Sequence, residues 1–217
     1  GQGYGMLIAV MMAGHDPEAQ AIFDGLVRYA NAHPSRQDPA LMAWAQDEAC
    51  RDVQGANSAT DGDLDRAYAL LQADRQWGSS GAVDYAREAQ GVLQAILAHE
   101  MHPTNTVLVG DWARPGDRWY EGARTSDFMP GHFEAFAAAT GEPRWGAAVD
   151  RLYAIVEALQ ARHAPQTGLL PDFVREATGA AAGPGPVGLV EGEVDGQFGG
   201  NACRTPWRLG VHGLFAG

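Results

Sequence analysis

Six stretches of this chain set apolar residues at helical spacing, and nowhere is the two-residue alternation of a half-buried strand sustained. That pattern restricts the chain to all-α architectures. Met6–Ala13 is a short apolar helix. Pro17–Ala32 comes next, with Ile22, Phe23, Leu26, Val27, Tyr29 and Ala30 spaced for one buried face. Asp61–Gln76 and Tyr85–Glu100 are the next two, the latter burying Val92, Leu93, Ile96 and Leu97. Ser126–Thr140 starts at a Ser cap and stops at Gly141, a favourable residue just past a helix end. Trp145–His163 is long and amphipathic, and Pro206 marks a further helix start.

The spacers between these segments are rich in Gly, Pro and Asp, so the expected unit is the helical hairpin. The spacing of the hairpins is uneven, which excludes an array of one fixed repeat length. Bundles, solenoids and closed α/α toroids all remain open at this point. The Gly-Pro-rich stretch Ala177–Pro186 is expected to be a surface loop rather than a domain boundary, because the chain beyond Pro186 is too short to fold alone.

With 217 residues, 46% of them apolar, the chain can bury a substantial single core. No run of about 18 uncharged apolar residues offers a membrane span. A formal net charge of −12 argues against nucleic acid as partner, since such binding relies on Lys and Arg neutralising phosphates. The two cysteines, Cys50 and Cys203, exclude a disulfide scaffold, and a buried free thiol is the simpler reading of Cys203.

The chemistry concentrates at Ala59-Thr60-Asp61-Gly62-Asp63-Leu64-Asp65, which places three carboxylates within five residues and then runs into an apolar helix ending near Trp77. Like charges so close invite raised pKa values, and carboxylates both accept hydrogen bonds from hydroxyls and do acid–base work on sugars. The plainer reading is that Thr60 and Asp61 cap a helix whose dipole favours acids in its first turn.

Other segments decide between these readings. They are Gly1-Gln2-Gly3-Tyr4-Gly5-Met6, Leu41-Met42-Ala43-Trp44, Arg124-Thr125-Ser126-Asp127-Phe128-Met129-Pro130, Gly168-Leu169-Leu170-Pro171-Asp172-Phe173 and Asn201-Ala202-Cys203-Arg204-Thr205-Pro206-Trp207-Arg208. In this order and spacing the set resembles glycoside hydrolase family 8, which includes endoglucanases, licheninases, chitosanases and some xylanases. The ATDGDLD and NACRTPWR segments are its most specific parts. One departure is Arg66, where the family pattern has Ile or Met; it is taken as a helix position turned towards solvent.

The resemblance implies an (α/α)6 toroid, here incomplete at both ends, with residues 1–217 forming one partial catalytic domain. It implies an endo-acting, inverting hydrolase of β-1,4-linked polysaccharide (chitosan, mixed-linkage β-glucan or cellulose), secreted or periplasmic; a monomer is expected, and no motif asks for a metal or organic cofactor. Inversion needs one carboxyl group to protonate the leaving oxygen and another to activate water, about 6.5–9.5 Å apart. The family's acid is the Glu directly before Gly-Gln-Gly-Tyr-Gly-Met, a position ahead of Gly1. Asp61 matches the acid that contacts the sugar ring beside the scissile bond. In the cellulase-like branch an Asp stands where this chain has Asn201, and an amide is no base. In the branch with many chitosanases and licheninases, Asn stands there and a Glu from an inserted loop serves. The loop Val190-Glu191-Gly192-Glu193-Val194-Asp195-Gly196 fits that place, with Glu191 as first choice of base and Glu193 as second.

Asp127, Phe128, Asn201 and Arg204 are expected substrate contacts by position in the motifs. Trp44 and Trp119 are the best candidates for stacking on sugar faces, although core packing is the commoner role of any one aromatic. Three other signals fail on spacing. Met6 stands where a dinucleotide loop needs its third Gly, Asp61–Asp65 has its Gly misplaced for a calcium loop with Gln72 in place of the bidentate Glu, and His99-Glu100-Met101-His102 lacks the zinc-protease gap. The competing reading is a carbohydrate-binding protein without the acid, and a lesser one an α/α scaffold for protein partners.

Overall fold

The computed structural model describes residues 1–215. They form seven α-helices, α1 (Gln2–Met11), α2 (Ala19–Ala32), α3 (Thr60–Trp77), α4 (Tyr85–His99), α5 (Pro130–Thr140), α6 (Pro143–His163) and α7 (Arg204–Phe215). Three very short strands join them, β1 (Ala123–Arg124), β2 (Phe173–Arg175) and β3 (Gly183–Pro184). The chain divides into two compact units, Gly1–Glu100 with Gly110–Trp112, and Met101–Val109 with the chain from Ala113 on.

In the first unit α3 packs against both α1 and α4, and α1 also packs against α2. Contact on two sides explains why α3 buries Leu64, Ala67, Ala69, Leu70 and Ala73 rather than a single stripe. The approach of α1 to α3 is close enough to require glycine. A Cβ on Gly3 would stand 2.7 Å from both Asp65 Cβ and the Gly62 carbonyl oxygen. Phe23 meets Trp77 and Tyr85 edge-on, with centroids 5.4 Å apart in each pair. Asp84 caps α4 by accepting the Arg87 amide at 3.0 Å. Ile22, expected on the buried face of α2, is exposed; that face closes over Phe23, Val27 and Ala30.

The second unit is built on α5, α6 and α7. Trp145 is fully buried against Phe133 and Phe136, at centroid distances of 5.8 and 5.0 Å. Gly141 ends α5 with φ of 68°, as its position predicts, and Glu142 then caps α6 by accepting the Arg144 amide. The start of α5 differs from expectation. Ser126 does not cap it. Residues Thr125–Asp127 form a separate 3-10 turn, and α5 begins at Pro130, whose missing N–H costs nothing at a first helical position. The strands are antiparallel in the order β1-β2-β3, with Ala123 opposite Val174 and Val174 opposite Pro184. Two or three residues cannot display alternation, so periodicity misses this sheet. The stretch Ala177–Pro186 is accordingly not all surface loop: it contributes β3 and buries Ala177 and Ala182.

Among the described residues no helix is long and apolar enough to cross a membrane.

Candidate active site

In the first unit the acidic motif opens α3. Its N-cap is Ala59, in extended conformation and without a side-chain capping bond, so neither Thr60 nor Asp61 is the cap. A buried polar network fixes the residue before it. Ser58 donates its hydroxyl to Glu100, accepts the Asp111 amide at 3.0 Å, and donates its own amide to Asp111 Oδ1 at 3.0 Å; Ser35 donates to Asp111 Oδ2. No sequence pattern marks this network, whose partners lie 42 to 76 residues apart.

The three motif carboxylates then meet three environments. Asp61 is partly exposed in the first turn, where the helix dipole favours an anion, and accepts the Gly62 amide at 3.0 Å. Asp63 is fully buried. Its Oδ1 accepts the Met42 amide at 3.2 Å, and its Oδ2 has no hydrogen bond. Burial lifts its pKa to about 7 against the pull of the Arg66 guanidinium and the Met42 amide. Asp65 is buried against Gly3. Only Asp61 of the three is open to a ligand.

Arg66 overturns its expected place. It is 1% exposed, donating Nη1 to the Ala40 carbonyl at 2.8 Å and Nη2 to Asn31 Oδ1 at 2.6 Å, with Glu88 at 3.7 Å. The helix is packed by α1 and by α4, and the guanidinium is turned inward to the 40–42 backbone. Asp63 and Arg66, one helical turn apart, therefore hold Met42 and Ala40 of the same loop. The Trp44 amide donates to the Asn57 carbonyl at 3.0 Å, and its side chain stands 54% exposed on that anchored backbone. An aromatic face held this way can stack on a sugar ring.

In the second unit Glu191 and Asn201 meet. Asn201 Nδ2 donates to Glu191 Oε2 at 2.9 Å, and Arg124 lies 3.6 Å from Oε1. Arg204 donates to Asn201 Oδ1 at 2.8 Å and to Ser126 Oγ at 2.9 Å. The amide orientation follows from chemistry, since a carboxylate only accepts and a guanidinium only donates. Glu191 remains 52% exposed on its side chain. Glu193 is exposed and stands outside this hydrogen-bonded chain. Asp172, 3% exposed, accepts the Gly199 and Ala202 amides and so places Asn201.

Other expected contacts are reassigned. Phe128 is 1% exposed and lines an apolar pocket with Phe133, Leu152 and Ile155, so it offers no face to a sugar. Asp127 is fully buried and lies 3.9 Å from Arg124, as its counter-charge. Trp119 is half-buried; its indole N–H donates to the Leu189 carbonyl at 2.7 Å, and Arg118 lies over its ring at 5.0 Å. Cys203, expected to be buried, is exposed because its thiol turns outward to the Gly200 carbonyl at 3.2 Å, and Cys50 is exposed too. Among the described residues no group of three or more His, Cys, Asp and Glu is placed to hold a metal ion.

Comparison with known proteins matches residues 1–186 to the family model of glycosyl hydrolases family 8. A beta-glucanase from Niallia circulans is 45% identical over 217 residues, covering 99% of this chain and 52% of that protein. An endoglucanase from Bacillus sp. (strain KSM-330) is 40% identical, over 96% of this chain and 44% of its own length. Among solved structures, the apo beta-1,3-1,4-glucanase from Paenibacillus sp. X4 superposes with a TM-score of 0.94 at 44% identity, covering 97% of this chain and 55% of that one. That likeness fixes the fold class as the all-α, (α/α)6-toroid type. The chain spans about half the length of the curated relatives it matches.

Proposed function

The chain belongs to glycoside hydrolase family 8, and from that premise we propose that it is the part of an endo-acting, inverting β-glucan hydrolase that carries the general base and a sugar-binding acid. One observation carries the base assignment: Asn201, the amide standing where the cellulase-like branch has its Asp, is hydrogen-bonded to Glu191. In this reading Glu191 takes a proton from the attacking water. Asn201 and Arg204 hold its carboxylate in line, and Asp61 binds the ring beside the scissile bond. The acid is the Glu that the family carries directly before the Gly1–Met6 motif. Trp44 supplies an aromatic platform. The likeness to a beta-glucanase and a beta-1,3-1,4-glucanase favours mixed-linkage β-glucan over chitosan. A polymer substrate of this kind places the enzyme outside the cytoplasm.

The decisive experiment uses the protein extended to the length of its relatives, with the family's acid Glu in place. Proton NMR of the first product formed from a mixed-linkage oligosaccharide should show the inverted, α anomer. A β anomer rules out the mechanism, and no turnover on any glucan favours a carbohydrate-binding protein. Release of reducing sugar should be greatest on mixed-linkage β-glucan, ahead of carboxymethylcellulose, xylan and chitosan; a preference for chitosan would overturn the substrate assignment.

The platform has its own test. Trp44→Ala should raise KM by about 3–10-fold with little change in kcat, in keeping with the ~0.5–1.5 kcal/mol of an aromatic contact. An unchanged KM would return Trp44 to the ordinary surface.

A further inference from the structure

We propose that Asp195 is a positioning residue for catalysis, whose buried carboxylate sets the backbone of residues 190–192 and through it the aim of Glu191. The inference rests on the reading of Glu191 as base.

Asp195 is 1% exposed, unlike Glu191 and Glu193 in the same acidic loop. Its Oδ2 accepts the Val190 amide at 2.7 Å and the Glu191 amide at 3.1 Å. Its Oδ1 accepts the Gly192 amide at 2.9 Å and approaches the Glu191 amide at 3.3 Å. Three successive N–H groups thus converge on one carboxylate, and the middle one belongs to Glu191. Successive amides facing an anion form a stiff concavity, and charge-assisted bonds of this kind are stronger than neutral ones.

The anchor is itself fixed. The Asp195 carbonyl accepts the amide of Phe173, which lies in β2. The other side of the loop is tied by Trp119, which donates to the Leu189 carbonyl at 2.7 Å. The Gly188 amide closes the loop onto the Gly192 carbonyl at 2.8 Å. With its backbone held on both flanks, Glu191 keeps only side-chain freedom, and Asn201 removes part of that. A loop needing closure alone has no use for a full carboxylate. An Asn at 195 offers one acceptor oxygen and two donors, so its NH2 would face at least one of the three amides donor to donor. The loop would shift, and a misplacement of about 1 Å in a reacting group costs on the order of 10²-fold in rate.

The test measures kcat and KM of Asp195→Asn on a mixed-linkage oligosaccharide, in the extended protein, with a thermal melt to establish folding. We expect kcat to fall about 10–100-fold while KM moves less than about threefold. In a Glu191→Gln background the same substitution should cause no further loss, because a residue acting through Glu191 has nothing left to aim. Trp119→Phe, which removes the donor to Leu189 and trims the ring beneath Arg118, should lower kcat in the same direction by a smaller factor, and it carries the test if Asp195→Asn does not fold. Unchanged kcat in Asp195→Asn, or an equal further loss in the Glu191→Gln background, overturns the proposal while leaving Glu191 as base. Full activity of Glu191→Gln itself overturns both.

Discussion

Glu191→Gln is expected to lower kcat by ~10²–10⁴-fold, the usual cost of a lost general base, while oligosaccharide still binds. The amide preserves shape and can still accept the hydrogen bond that Asn201 donates at 2.9 Å, but it cannot take a proton from water. Titration calorimetry with an oligosaccharide and single-turnover kinetics on the extended protein separate the two effects. Azide should restore turnover to Glu191→Ala, a small anion standing in for the absent carboxylate. Asn201→Ala should cost less, because it frees Glu191 and Arg204 without removing the base. Glu193→Gln should be mild, since Glu193 lies outside the chain that links Glu191, Asn201 and Arg204. An inactive Glu193→Gln beside an active Glu191→Gln would move the base by two residues. Activity in both would make the loop a solvated surface and Asn201 a surface amide.

The architecture is open to reading because long amphipathic helices write themselves in the sequence. The spacing of Val149, Leu152, Ile155, Val156 and Leu159 needs only a 3.6-residue period to predict α6, and Gly141 signals the end of α5 by its own chemistry. What local pattern misses is non-local. Strands of two or three residues have no period, so the sheet that carries Arg124 is invisible. Ser126 looks like a cap by type, yet its hydroxyl accepts from Arg204, 78 residues on. Motifs point to the site residues but not to their surroundings. Phe128 and Asp127 sit in a motif beside Ser126, and only packing shows that they face inward. Asp195 shares a short acidic run with Glu191 and Glu193, and nothing in residue type marks it as the buried one of the three.

Arg66 is the sharpest case, because a charged residue on an apolar helix reads as a solvated one. Its burial leads to a second large effect, on stability and its dependence on pH. Asp63 has a carboxyl lifted to about 7 from an unfolded value near 3.9. A carboxyl raised in the folded state contributes stability in full below the unfolded pKa, and that contribution is lost as pH rises through about 7. Arg66 limits the loss by favouring the charged form. Arg66→Met installs the apolar type that the family pattern shows there and removes the cation. Asn31 is exposed and Glu88 half-exposed, so both can turn to water, while Asp63 cannot. The substitution should therefore cost about 1–2 kcal/mol more at pH 8 than at pH 5, because the buried carboxyl, without its cation, must then take up a proton that the unfolded chain does not hold. For a chain of this size that is roughly 2–8 °C in Tm. Asp63→Asn keeps an acceptor for the Met42 amide and cannot ionise, so it should abolish the pH-dependent part of the Arg66→Met loss in the double variant. Thermal melts at pH 5 and 8 for the four proteins close the cycle. A loss equal at both pH values would mean that Arg66 acts through packing and its bonds to Ala40 and Asn31 alone. A pH-dependent loss accompanied by a raised KM would tie the pair to the Trp44 loop. Asp63 and Arg66 grip that loop at Met42 and Ala40, and the charge state of Asp63 would then reach the sugar-binding surface through the backbone.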